Sequence, residues 1–396
     1  MPLPNFKIDV LWKSKWAPRI WLIISAFSIT SIFFRSDIAY NNFLIFKGVF
    51  WHTWHQQSLY GLYPNEYFDQ NHYGPFFSIF FAPFAIGPLF PSAFIWTMCM
   101  TGILLFAIQK MEMDATSKNI ILLICLQELV VTTLSQQTNS FIAASIILSF
   151  LFIKKEKEEW AAAFIMLGFM IKIYGIAGGA FIIFSKRPLK LILYCLMWGA
   201  LFFIAPMIIS SPSFVLHAYK EWYEILIIKH NSNVNLNGAE RMQDISLMGF
   251  FRRVLNMGIP NVVFLVPGAI LTLLPWLRKS QFKQPTFQYS YLALILLTIV
   301  MFSSSSESPT YIIAVVGVGI WYMINAKNKT LHGKILLVFM LLLTCFSYTD
   351  LFPAHIRNAY VIPYSLKALP CMVIWGWITT ELLTKNYLSA QDAQAI

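Results

Sequence analysis

One acid, Asp37, follows the first strongly apolar run of this chain, at the head of the stretch DIAYNNFLIFKGVFWHTWHQQSLYG. A carboxylate at the mouth of an apolar helix could take the proton from an attacking hydroxyl. Beside Arg35 it could equally be an interfacial acid in a weak ion pair. Tyr40, Tyr60, Tyr63, Tyr67 and Tyr73 come next. Such rings stack on apolar faces while their hydroxyls hydrogen-bond, as sugar binding requires and as any interfacial belt also shows. The turn SQQTN offers Gln136, Gln137 and Asn139 between two apolar runs, as ligand amides or as a helix cap. Lys172 lies in the middle of WAAAFIMLGFMIKIYGIAGGAFIIF. A cation there is costly and rarely idle, and it could hold a phosphate as a point charge. Its central place makes snorkelling to the surface harder. Arg241, Arg252 and Arg253 in NGAERMQDISLMGFFRRVL could clamp an anionic leaving group or form the basic face of a solvated helix. Glu307 and Tyr311 in SSSSESPTY open another apolar run, where Ser and Glu also serve as caps.

These residues need a frame, and composition says which kind. Of 396 residues 58% are hydrophobic and 12% charged, with 35 Phe and 13 Trp, whereas soluble domains carry roughly 25% charged residues. The expected fold is all-α: a polytopic transmembrane helical bundle of about 11–13 spans, each of roughly 17–25 residues. Clear apolar runs cover 19–35, 92–109, 119–134, 139–153, 188–209, 260–278, 287–303, 310–325, 334–349 and 361–383. The proline-broken run 75–91 and the run 160–184 are ambiguous. Lys7, Lys13, Lys15 and Arg19, with KKEKEE (154–159), SKRPLK (185–190), RKSQFK (278–283) and NAKNKTLHGK (325–334), mark the cytoplasmic side. Both termini are then cytoplasmic. The run 160–184 must enter and return, broken near Lys172. The opposite face receives a first outer loop, 36–74, and a long outer loop, 210–259. Residues 38–57, with Ile38, Phe43, Phe46, Val49, Phe50 and Trp54, read as an amphipathic helix in the interface. The chain reads as one integral-membrane domain over 1–396, without internal repeats.

Several chemistries lack their signatures. There is no GxxxxGK[ST] loop, GxSxG elbow or HExxH pair. The seven His are scattered, and Cys99, Cys125, Cys195, Cys345 and Cys371 lie in apolar runs without a CxxC. Neither a metal site nor a cofactor is expected. The net charge of +11 follows the cytoplasmic loops and does not call for nucleic acid. No cleavage site follows the basic, aromatic N-terminal segment, so the first helix is read as retained.

In order along most of the chain, SDIAY, SLYG, HYGPFFSIFFAPFAIGP, SQQTNS, MIKIYG and QDISLMGFFRR resemble the motifs of glycosyltransferase family 87, integral-membrane transferases of the GT-C class. Four positions depart from that pattern: Gln136 stands where Gly is frequent, Gly175 where Pro is, Gln-Asp-Ile-Ser replaces Asn-Gln-Ser, and Glu307 to Tyr311 replace a Trp-His pair. The resemblance implies a hexose donor carried on polyprenyl phosphate, with mannose the family-level expectation, and a lipid or glycan acceptor. It implies Asp37 as base of a single inverting displacement, with Lys172 and Arg241 or Arg252 at the departing phosphate. Tyr40, Tyr60, Tyr73, Gln137, Asn139, Glu307 and Tyr311 are the accompanying substrate-binding candidates. Independently of that resemblance, the short cytoplasmic loops and the Lys- and Phe-rich composition suit a bacterial inner membrane, and the polar outer loops place the site facing outward.

Two rivals use the same residues differently. A lipid-linked oligosaccharide polymerase or ligase would depend on the 210–259 loop and would not need Asp37. A transporter or flippase would place polar residues along both halves of a path, whereas here they gather on one face.

Overall fold

In the hydrocarbon of a bilayer no water pairs with backbone N–H and C=O groups, so a chain this apolar closes its hydrogen bonds along helices. The computed structural model shows that outcome. It describes residues 16–34, 37–234, 243–326 and 331–388, and no strand occurs among them. Arg241, Arg35, Lys7, Lys13 and Lys15 lie outside the described residues.

In chain order the α-helices are α1 (Trp16–Phe33), α2 (Asn41–His55), α3 (Phe77–Ala85), α4 (Leu89–Lys110), α5 (Ala115–Ile124), α6 (Leu126–Leu134), α7 (Asn139–Lys154) and α8 (Glu158–Ile171). They continue as α9 (Pro188–Ile204), α10 (Pro212–Val234), α11 (Leu247–Leu255), α12 (Val262–Leu273), α13 (Pro285–Met301), α14 (Tyr311–Ala326), α15 (Leu331–Met340) and α16 (Leu369–Thr384), with a three-residue α-helical piece, Ala354–Ile356, before α16. A 3-10 turn, Asp37–Tyr40, leads into α2, and a long 3-10 helix, Ile173–Phe184, follows α8. Proline opens α9 and α13, where its missing N–H would have no partner anyway.

The centre of the bundle is α13 packed on α14, flanked by α5, α7 and α16. Of the apolar window Ser308–Asn325, 78% is buried inside the protein, against 11% of that in Pro188–Ile208, so α9 forms the rim. Five described helices are long and apolar enough to cross a membrane alone: Trp16–Phe33, Leu89–Lys110, Pro188–Ile208, Ser308–Asn325 and Leu366–Thr384. The pair α5 and α6, bent by 52°, would make a sixth, and shorter apolar helices fill the rest.

The structure adds detail to three local readings. The stretch expected to lie as an amphipathic helix in the interface forms α2, and its apolar side is covered by protein. Phe43 and Phe46 bury themselves against Phe77, Phe81 and Trp96, with Phe46 edge-on to Trp96 at 5.8 Å. The apolar run 361–383 does not form one helix, because Ser365 takes a left-handed φ of 51° and α16 starts only at Leu369. The ambiguous run 75–91 divides into α3 and the start of α4.

Candidate active site

The turn 135–139 joins two parts of the site. Gln136 bends the chain with φ 53°, a conformation that costs an L residue about 1 kcal/mol or more relative to glycine. Its side chain compensates: Nε2 donates to the Ala39 carbonyl at 2.8 Å. Trp96 Nε1 donates to the Gln136 carbonyl at 2.8 Å, and Asn42 Nδ2 to that of Ser135, also at 2.8 Å. The turn is thereby latched to the 3-10 turn that Asp37 opens. Tyr40, at the far end of that 3-10 turn, is buried.

Lys172 sits at a break in the chain, as the sequence implies. Its backbone is extended (φ −143°, ψ 124°) between the end of α8 and the 3-10 helix. The 3-10 helix doubles back so closely that a Cβ on Gly175 would lie 2.2 Å from the Gly168 carbonyl carbon. Only glycine fits at that crossing. Lys172 is half-buried as a residue, and its Nζ donates to Asn139 Oδ1 at 2.9 Å, where the Tyr174 hydroxyl also donates at 3.2 Å. Asn139 Nδ2 donates to Gln137 Oε1 at 2.7 Å, and Gln137 Nε2 to Glu307 Oε2 at 3.1 Å. Gln243 Nε2 reaches the other oxygen, Glu307 Oε1, at 2.7 Å. A chain of hydrogen bonds thus runs from an ammonium to a carboxylate, and the charge at each end orients the amides between them.

Tyr73 forms one wall. Lys172 Nζ and its ring centroid are 5.7 Å apart, within cation–π reach, and its hydroxyl pairs with Thr138 Oγ1 at 3.3 Å. Tyr60 is buried and donates to the Tyr73 carbonyl at 3.0 Å, so it shapes the wall from behind. The Trp222 indole on α10 donates to the His72 carbonyl at 2.9 Å, which docks that helix on the same loop. Burial, then the Lys229 ammonium, hold the His72 imidazole below its usual range, with Asp69 and Glu307 pulling the other way.

Other candidates have partners inside the protein. Arg252 is 1% exposed, pairs with the Asp244 carboxylate, and donates to Asn261 Oδ1 at 2.6 Å and the Ile259 carbonyl at 3.1 Å. Ser246 Oγ donates to Asp244 and accepts from Gly249 N, capping α11. Arg252 therefore ties the segment together instead of facing the Lys172 chain. Tyr311 is fully buried, its hydroxyl on the Ile245 carbonyl at 2.9 Å. Glu307 opens the turn in a capping box with Thr310, whose Oγ1 accepts from the Glu307 backbone N–H at 3.2 Å, and its carboxylate also takes the two glutamines.

Sequence reasoning placed Lys172, Asn139, Gln137, Glu307 and Tyr73 among the site residues, and the structure brings these together. It did not select Gln243, Tyr174 or Thr138. Gln243 and Tyr174 had a signal, each lying two residues from a charged candidate. Among the described residues no three His, Cys, Asp or Glu side chains gather as metal ligands. The arrangement supplies a cation for an anionic group, a carboxylate with free lone pairs for hydroxyls, and aromatic walls.

A comparison with curated protein sequences finds no match. The model of glycosyltransferase family 87 matches residues 71–304. The match takes in Tyr73, the 135–139 turn, Lys172 and Arg252, and leaves Asp37, Tyr40, Tyr60, Glu307 and Tyr311 outside. It covers more than half of this multi-pass helical membrane protein, so the chain belongs to glycosyltransferase family 87 and is a glycosyltransferase.

Proposed function

We propose that this enzyme moves a hexose, mannose in the first instance, from a polyprenyl-phosphate carrier to a lipid or glycan acceptor at the extracytoplasmic face of a bacterial inner membrane. The observation that carries the reading is the chain Lys172–Asn139–Gln137–Glu307, whose turn is latched to the segment bearing Asp37.

In the proposed step the Asp37 carboxylate takes the proton of an acceptor hydroxyl. The acceptor oxygen bonds to the anomeric carbon from the face opposite the carrier. The bond from that carbon to the phosphate oxygen breaks, and its electron pair leaves with the phosphate. Lys172 meets the negative charge that develops there, with Arg241 as a second cation. Asn139 and Gln137 hold the ammonium in place. Glu307 repels phosphate and accepts hydroxyls, so it marks the sugar side. Tyr40, Tyr60 and Tyr73 build the aromatic wall. Arg252 and Tyr311 act by fixing 244–259 and 245 behind the site. No metal or cofactor takes part in this scheme, since the acceptor proton, the leaving phosphate and the sugar each have a protein group.

The donor class is tested by incubating membranes that contain the enzyme with labelled polyprenyl-phospho-mannose or with labelled GDP-mannose, in the presence of native lipid and glycan extract. Incorporation from the lipid-linked donor alone supports the reading. Incorporation from the soluble nucleotide donor without a lipid intermediate overturns it.

A further inference from the structure

Behind the site lies an ion pair that the proposed chemistry does not use. Glu128 on α6 and Lys367 in the turn before α16 are both fully buried. Lys367 Nζ donates to the two Glu128 oxygens at 2.8 and 3.1 Å and lies over the rings of Tyr311 and Tyr348 at 5.0 and 5.4 Å. Stability is a poor reason for such a pair, since well-packed apolar replacements of both partners are often neutral or stabilising. Its third hydrogen bond is more informative: Nζ also donates to Ser308 Oγ at 2.9 Å, and Ser308 adjoins Glu307.

The same turn has a second arm. Ser365 accepts from Arg253, whose other nitrogen donates to the Gln243 carbonyl at 2.6 Å. Thr344 Oγ1 anchors the turn by donating to the Lys367 carbonyl at 2.9 Å. One short turn, 365–367, therefore holds the neighbour of Glu307 and, through Arg253, the backbone of Gln243, the two residues whose side chains meet at 2.7 Å in the site.

We propose that Lys367, held by Glu128, is a positioning residue for the transferase site: through Ser308 it sets where the Glu307 carboxylate stands between Gln137 and Gln243. Only the activity arm of its test rests on the donor proposed above. Glu128→Leu or Lys367→Met alone would leave a buried charge unpaired and could prevent folding, so the test uses the neutral double variant Glu128→Gln/Lys367→Met and the mild Ser308→Ala, in the full chain.

The first readout needs no substrate. Hydrogen exchange of the purified protein in lipid nanodiscs should quicken about tenfold over 303–310 in both variants, as loss of a local tether implies, while α13 and α14 keep wild-type protection. Unchanged exchange over 303–310 overturns the proposal. The second readout is transfer from polyprenyl-phospho-mannose. Each variant should lower turnover on the order of 10- to 100-fold, since small misplacements at a reacting centre cost that much. The same change made on top of Glu307→Gln should cost little more. Full, independent losses in both backgrounds would show a structural role only. If wild type does not use this donor, the donor reading fails, and the exchange result decides the positioning role.

Discussion

Lys172 and Arg252 are both cations set in apolar surroundings, and the structure gives them different work. Lys172 keeps part of its surface open and ends a chain of neutral amides. Arg252 is closed in by Asp244, Asn261 and Ile259. Their substitutions should separate. Lys172→Met should lower transfer on the order of 10²–10³-fold, the loss expected when one stabilising charge at a leaving oxyanion is removed, with melting temperature unchanged. Arg252→Leu should lower the melting temperature, because it strands the Asp244 carboxylate at a cost of about 3–5 kcal/mol, and Asp244→Asn added to it should restore part of that loss. Initial rates and thermal melts on the same preparations check both. Lys172 was legible because a lone cation in the middle of an apolar run has few structural excuses. The same rule applied to Glu128 and Lys367 would have flagged two lone opposite charges in apolar runs. Their pairing was not legible, because 239 residues separate them.

At the scale of elements, the break after α8 is the device that presents Lys172, and Gly175 makes it possible. Its position was visible in the charge pattern, since basic loops on both sides force 160–184 to return. What lets the chain return was not, because contact between Gly168 and Gly175 is backbone on backbone. Gly175→Ala should push apart α8 and the 3-10 helix, since the added Cβ would sit 2.2 and 2.5 Å from Gly168 backbone atoms. Overpacking of this kind costs about 1–3 kcal/mol, and the displaced Lys172 should lose activity as well. Gly179→Ala is the control, for no atom lies within 4 Å of its added Cβ. Thermal melts and transfer rates of the two variants should diverge; equal behaviour would contradict the close crossing. What covers the apolar side of α2 was not legible for a related reason. Its apolar spacing specifies a covered side, and only the fold tells whether lipid or the Phe77, Phe81 and Trp96 cluster covers it.

Across the whole molecule, the candidate site is assembled from segments far apart in the chain: 37–40, 73, 136–139, 172–174, 243 and 307. Turns, loops and helix ends supply it, not one helix, which is why no single run of sequence announces it. The order of the motifs along the chain was readable. The bonds between them are not, since Gln137 to Glu307 spans 170 residues and Gln136 to Ala39 spans 97. The latch between the turn at 136 and the segment opened by Asp37 carries the central claim, that an acid near the start of the chain serves a phosphate site built from its middle. The most direct test is label transfer from polyprenyl-phospho-mannose in membranes with matched amounts of wild type and Asp37→Asn. The account predicts transfer by wild type and a loss on the order of 10²–10⁴-fold in Asp37→Asn, the usual worth of a general base. Equal transfer by the two proteins would contradict it, and the acceptor's proton would then have to go to another group.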